Sequence, residues 1–121
     1  MDSILTTIKK MLGIDKDYTH FDIDIITNIN SALMVLKQLG VCSELAPSIS
    51  GDLDTWEEVF GERTDIDGVK TYMYLKVKVA FDPPTSSFVL DAMNKQITEL
   101  EWRLNVQADA KETGGNVTHG R

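Results

Sequence analysis

The sequence predicts a small helical bundle with a flexible, extended C-terminal arm. Three observations predict it: apolar residues recur at three- and four-residue spacing in most of the chain, glycines close the periodic segments, and the last seventeen residues lose the pattern. At 121 residues the chain has the length of one domain with a modest core. Residues 1–104 are read as that domain and residues 105–121 as the arm.

Ser3 is placed to cap a first helix, with Ile4, Leu5, Ile8, Met11 and Leu12 on one face and Gly13 as its stop. Lys9 and Lys10 fall in its last turn, where cations are favoured. Next comes the acid-rich run DKDYTHFDID. Counted as a calcium loop from Asp15, it has His20 where glycine belongs and Ile26 where the bidentate glutamate belongs, so it fails that pattern. It fits a helix start better, with Thr19 as cap and Asp22 three residues on. The second helix then runs from about His20 to Leu39, with Ile25, Ile29, Leu33 and Leu36 as its core stripe and Gly40 as its stop.

Thr55-Trp56-Glu57-Glu58 reads as a capping box, opening a helix of about two turns that ends at Gly61 and turns Trp56 toward the core. Residues 69–81 are open between two structures. Val77, Val79 and Phe81 alternate as in a strand, while Val69, Met73, Val77 and Ala80 share a helical face, and length favours the helix.

The longest helix is expected over 82–104. Asp82 can cap it and Pro83 then falls at the first helical position, with Pro84 also in the first turn. Val89, Met93, Ile97, Leu100 and Leu104 form its stripe, and Met93, Ile97 and Leu100 join the predicted core. Glu99 and Arg103 are four apart in the favourable order. Trp102 falls off the stripe, on the side with Lys95, where it packs either under another helix or against a neighbouring subunit. Tyr72 and Tyr74 are candidates for the same kind of contact, because tyrosine joins an apolar body to a polar tip. Val106 and Val117 are the large aliphatic residues of the arm.

Composition narrows function. The net charge is −7, and clustered Lys and Arg are what a tight grip on phosphates needs. His20 and His119 have no Cys or second His at ligand spacing, and single Cys42 cannot form an internal disulfide. No nucleophile elbow, phosphate loop or dinucleotide fingerprint occurs. The residues therefore predict no catalytic site, no metal and no cofactor. The N-terminus lacks the features of a signal peptide, so a cytosolic origin is expected.

The combination FDPPTSSFVLDAMNKQITELEWRL resembles the C-terminal helix region of the small head–tail connector proteins of long-tailed bacteriophages, also called adaptor or head-completion proteins and often described as DNA-packaging proteins. TYMYLKVKVAFDPP is similar to that family's penultimate helix, FDIDIITNINSALMVLKQLGV to its second, and the Trp56 segment sits at its short middle helix. The resemblance covers about residues 3–104, and is specific in its F-D-P-P and E-L-E-W-R-L elements. It implies an all-α fold of four to five helices, with 69–81 helical and Asp82-Pro83-Pro84 as a hinge. It implies a structural role in the virion neck, with assembly in the host bacterial cytoplasm. The implied form is a homo-oligomeric ring, commonly dodecameric, that docks beneath the portal protein. Such a ring extends a DNA channel without specific binding and receives the next neck or tail-terminator protein. The other function weighed is a small helical regulatory or binding domain acting on nucleic acid or protein.

Overall fold

The computed structural model describes residues 3–42, 47–63 and 65–115. It is all-α among them, with five helices: α1 (Ile4–Met11), α2 (Asp22–Gln38), α3 (Trp56–Phe60), α4 (Ile66–Phe81) and α5 (Ser87–Gly115). α2 and α4 form the central pair, α5 packs on α4, and α1 lies against both central helices.

Local chemistry sets several ends. Ser3 Oγ accepts from the Thr6 N–H at 3.0 Å, so α1 opens on a satisfied cap. Thr55 and Glu58 complete a reciprocal capping box, which lets a five-residue helix hold its place. Gly13 and Gly40 take positive φ just past α1 and α2, where a residue with a Cβ would be strained.

The core is built where the α2 stripe meets α4. Ile25, Ile29, Leu33 and Leu36 are fully buried, and so are Val69, Tyr72, Met73 and Val77. Burial of each large aliphatic side chain there contributes about 1.5–3 kcal/mol relative to exposure. Ile97 is buried from α5, while Met93 and Leu100 pack half-buried at its edge. Segment 69–81, open to two structures from pattern alone, lies within helix α4. Its buried side chains serve α2, α5 and α1, so more than one face is apolar and the period is blurred.

Besides α4, which opens at Ile66 three residues before the expected segment, three boundaries differ from those expected. α2 begins at Asp22 with Phe21 in the cap position and no side-chain cap. Thr19 supplies only its carbonyl, which accepts the Asp22 N–H at 3.2 Å. The Asp22 carboxylate is drawn instead to Lys9, with the ammonium 2.8 Å from Oδ1. Asp82 does not cap α5 either. It closes α4, where its carboxylate accepts from Lys78 at 2.9 Å. Pro83 precedes another proline and is thereby pushed out of the helical region, so residues 82–86 form a linker. α5 starts at Ser87, after Ser86 Oγ has accepted the Val89 N–H at 3.3 Å.

The third difference lies at the far end. α5 does not stop at Leu104 but continues to Gly115, so helix occupies 105–115 where an arm was expected. Leu104 is buried, and Asn105 Nδ2 donates to the Leu39 carbonyl at 3.2 Å, satisfying a carbonyl at the end of α2. Ala108 then passes over Gly40 so closely that its Cβ would lie 3.4 Å from a Cβ added there. The segment past Leu104 is polar, but residues such as Ala, Gln, Lys and Glu favour helix once the preceding turn is fixed.

Lys9 is the least expected feature of the interior. It leaves the last full turn of α1 and is only 2% exposed. Its ammonium donates to the carbonyls of Lys16 at 3.0 Å and Tyr18 at 2.7 Å, and it meets Asp22 as its third oxygen. Two of its donors thus find carbonyl partners, while Asp22 Oδ1 is held as an ion-pair partner without hydrogen-bond geometry, and the loop between α1 and α2 is folded around the ammonium. Within the acid-rich run itself, Asp15 accepts the Asp17 N–H at 2.8 Å, closing a local turn.

Candidate protein interface on the last helix

The side of α5 turned away from the core carries large apolar groups. Phe88 is 81% exposed and Trp102 67%, and Lys95 and Val106 are exposed with them. Trp102 is therefore not packed under another helix of its own subunit. Glu99 and Arg103 pair along this side at 2.6 Å. Both are well exposed, so the pair organises the surface and adds at most about 0.5 kcal/mol. Phe88 was not among the expected contact residues. Its signal was available in the spacing, since it stands two heptads before Trp102 on the same side of the helix.

Tyr72 does not belong to this surface. Its ring is fully buried between α4 and α5, and its hydroxyl donates to Glu101 Oε2 at 2.8 Å. Burial first, and the Glu101 carboxylate second, hold its phenol well above the ordinary tyrosine range. The folded state thus keeps a proton that the unfolded chain loses near pH 10. The resulting stability is complete below about pH 10 and declines above it by about 1.4 kcal/mol per pH unit. Urea denaturation from pH 8 to 11 is expected to show that decline in wild type relative to Tyr72→Phe. Parallel curves for the two proteins would refute it. Tyr74 is half-buried beside the core, and Val117 lies outside the described residues.

Asp82, Pro83 and Pro84 lie in the linker between α4 and α5. Two surface hollows lie elsewhere. One, of about 370 Å³, is bordered by Trp56, Arg63 and Lys70. Trp56 there is held by Thr7, which accepts its indole N–H at 3.0 Å, and Lys70 stands 5.4 Å from the ring centre. The other, of about 570 Å³, runs along α1 from Thr6 to Asp17. Neither joins a nucleophile to a base. Among the described residues no group of three or more His, Cys, Asp or Glu side chains is placed to hold a metal ion. Cys42 is buried, with its thiol directed at the Val59 carbonyl.

A helical domain with a complete core and an exposed aromatic face is built to meet other proteins. Comparison with known families agrees: the model of a family described as phage connector protein matches residues 4–111. The chain belongs to the phage connector family. No curated protein and no solved structure matches it. This connector is a structural component of the virion, and its partners are other phage head and tail proteins. The family match passes Leu104 and takes in most of the extended α5. Among the described residues, no helix is long and apolar enough to cross a membrane.

Proposed function

We propose that this connector assembles as a ring beneath the portal protein and there extends the channel through which DNA passes. The observation that carries the proposal is the exposed aromatic side of α5 on a domain whose own core is already closed. Trp102, with Lys95 and Val106 beside it, is the contact toward a neighbouring subunit or the portal. The net charge of −7 suits a passage in which phosphates slide without being held. The opposite surface of the ring receives the next neck or tail-terminator protein, and assembly takes place in the host cytoplasm. The end of α5 and the residues after it act as an arm toward the portal or a neighbour.

Imaging of the protein mixed with portal rings tests this. A second ring stacked on the portal is expected with the full chain. Deletion of residues 112–121, past the family match, is expected to leave the thermal midpoint within about 2 °C while the second ring is lost. Portal rings that stay bare with the full chain would exclude the ring, and a normal second ring with the shortened chain would exclude the arm.

A further inference from the structure

The exposed side of α5 has an internal order that a general contact surface does not need. Phe88, Ala92, Lys95, Glu99, Trp102 and Val106 follow at spacings of four, three, four, three and four, which is the a and d seam of a coiled coil. All six are exposed. The seam runs over roughly 27 Å of helix. It is also symmetric about the level of Ile97. Phe88 and Val106 lie nine residues to either side, Ala92 and Trp102 five, and Lys95 and Glu99 two.

We propose that the free protein pairs with a second copy of itself through this seam, with the two α5 helices antiparallel about a two-fold axis. In that register Phe88 meets Val106 of the other copy, the small Ala92 receives Trp102, and Lys95 meets Glu99. Each of these pairs occurs twice, as a two-fold contact requires. A parallel pairing would set Lys95 against Lys95, Glu99 against Glu99 and Trp102 against Trp102, so charge and size both select the antiparallel arrangement. Charged residues within a seam lower its stability but fix its register. Glu99 already holds Arg103 at 2.6 Å, yet a carboxylate accepts more than one bond and can receive the incoming ammonium. The seam is short, so the pair is reversible and of micromolar order. A two-fold pair is closed and cannot propagate. It therefore also keeps this face covered before a portal-bearing head is met; that consequence rests on the ring reading above, whereas the pairing does not.

Sedimentation velocity on the full chain from about 1 to 100 µM tests the pairing. The mass is expected to rise from 13.5 kDa to twice that value with concentration. Lys95→Glu alone and Glu99→Lys alone should each weaken the pair at least about tenfold while the fold is kept, because both side chains are exposed and Glu99→Lys gives up only the exposed bond to Arg103. The double variant Lys95→Glu/Glu99→Lys restores opposite charges across the axis and should pair again. An equal mixture of the two single variants should form a mixed pair, because one then presents two glutamates and the other two lysines. Wild type that stays monomeric at the highest concentration, or a double variant no stronger than the single ones, would overturn the proposal. Portal imaging reads the ring separately, so either result can fail without the other.

Discussion

Lys9→Met is expected to destabilise the domain by about 2–4 kcal/mol, although lysine ranks among the residues most easily replaced on a helix. The reason is what the ammonium leaves behind. The carbonyls of Lys16 and Tyr18 lose their donor, and Asp22 keeps a charge with its nearest cation gone. Removal of one member of a buried ion pair costs about 3–5 kcal/mol in a dry interior. Asp22 is 23% exposed, so water recovers part of that, and the lower range follows. Methionine fills most of the space, which keeps any cavity contribution small. Lys10 stands next in sequence but is exposed, and Lys10→Met should change stability by no more than about 0.5 kcal/mol. Asp22→Asn supplies the second arm of a cycle: combined with Lys9→Met it should cost less than the two single changes together, since neither charge then lacks its partner. Urea denaturation of the four proteins measures all of this. A Lys9→Met protein as stable as Lys10→Met would show that the loop does not depend on the ammonium.

Lys9 also marks where sequence reasoning ends. Its position in the last turn of α1 was legible, and favourable interaction with the helix end was a sufficient account of it. Its real partners lie seven, nine and thirteen residues away, on a loop whose path no local rule specifies. The features that were legible are those whose causes lie within one or two turns. The Ser3 cap, the Thr55–Glu58 box, the α2 stripe and the Glu99–Arg103 pair all have this character. The Asp82-Pro83-Pro84 turn shows two local rules in competition. Proline suits the first turn of a helix, but a proline also bars the residue before it from the helical region, and in a Pro-Pro pair the second rule prevails. The start of α5 consequently moves to Ser87.

The exposed side of α5 was legible in part. Trp102 and Lys95 could be placed off the core stripe by counting residues along the helix. Tyr72 and Tyr74 could not be sorted in that way. Both lie on α4, which is covered from several sides, and only the packed structure shows that Tyr72 points inward to Glu101 while Tyr74 remains half-buried. The end of α5 escaped for a related reason. Its polar composition past Leu104 resembles a solvated segment, and the contacts of Asn105 and Ala108 with the end of α2 join positions more than sixty residues apart.

Ile97→Asp and Trp102→Asp place the same carboxylate five residues apart on α5 and are expected to give opposite results. Ile97 is 8% exposed and belongs to the α5 face that packs on the core, while Trp102 points away from it. Loss of the Ile97 side chain alone costs about 2–4 kcal/mol through burial and cavity effects. An aspartate there adds the cost of a carboxylate excluded from water, for a total of at least about 4 kcal/mol. A domain of this size has about 5–15 kcal/mol in all, so Ile97→Asp should release α5 or unfold the chain. Released α5 also frees Tyr72 from Glu101, so the alkaline decline in stability should vanish in the same variant. Trp102→Asp leaves the core untouched, and its stability should stay within about 0.5 kcal/mol of wild type. What it should remove is association, because the ring that fills the space above Ala92 of the other copy is gone and a charge stands in its place. Denaturation and sedimentation on both variants separate the two roles of one helix. Equal unfolding by both would mean that Trp102 supports the fold, and equal stability of both would mean that α5 adds little to the core.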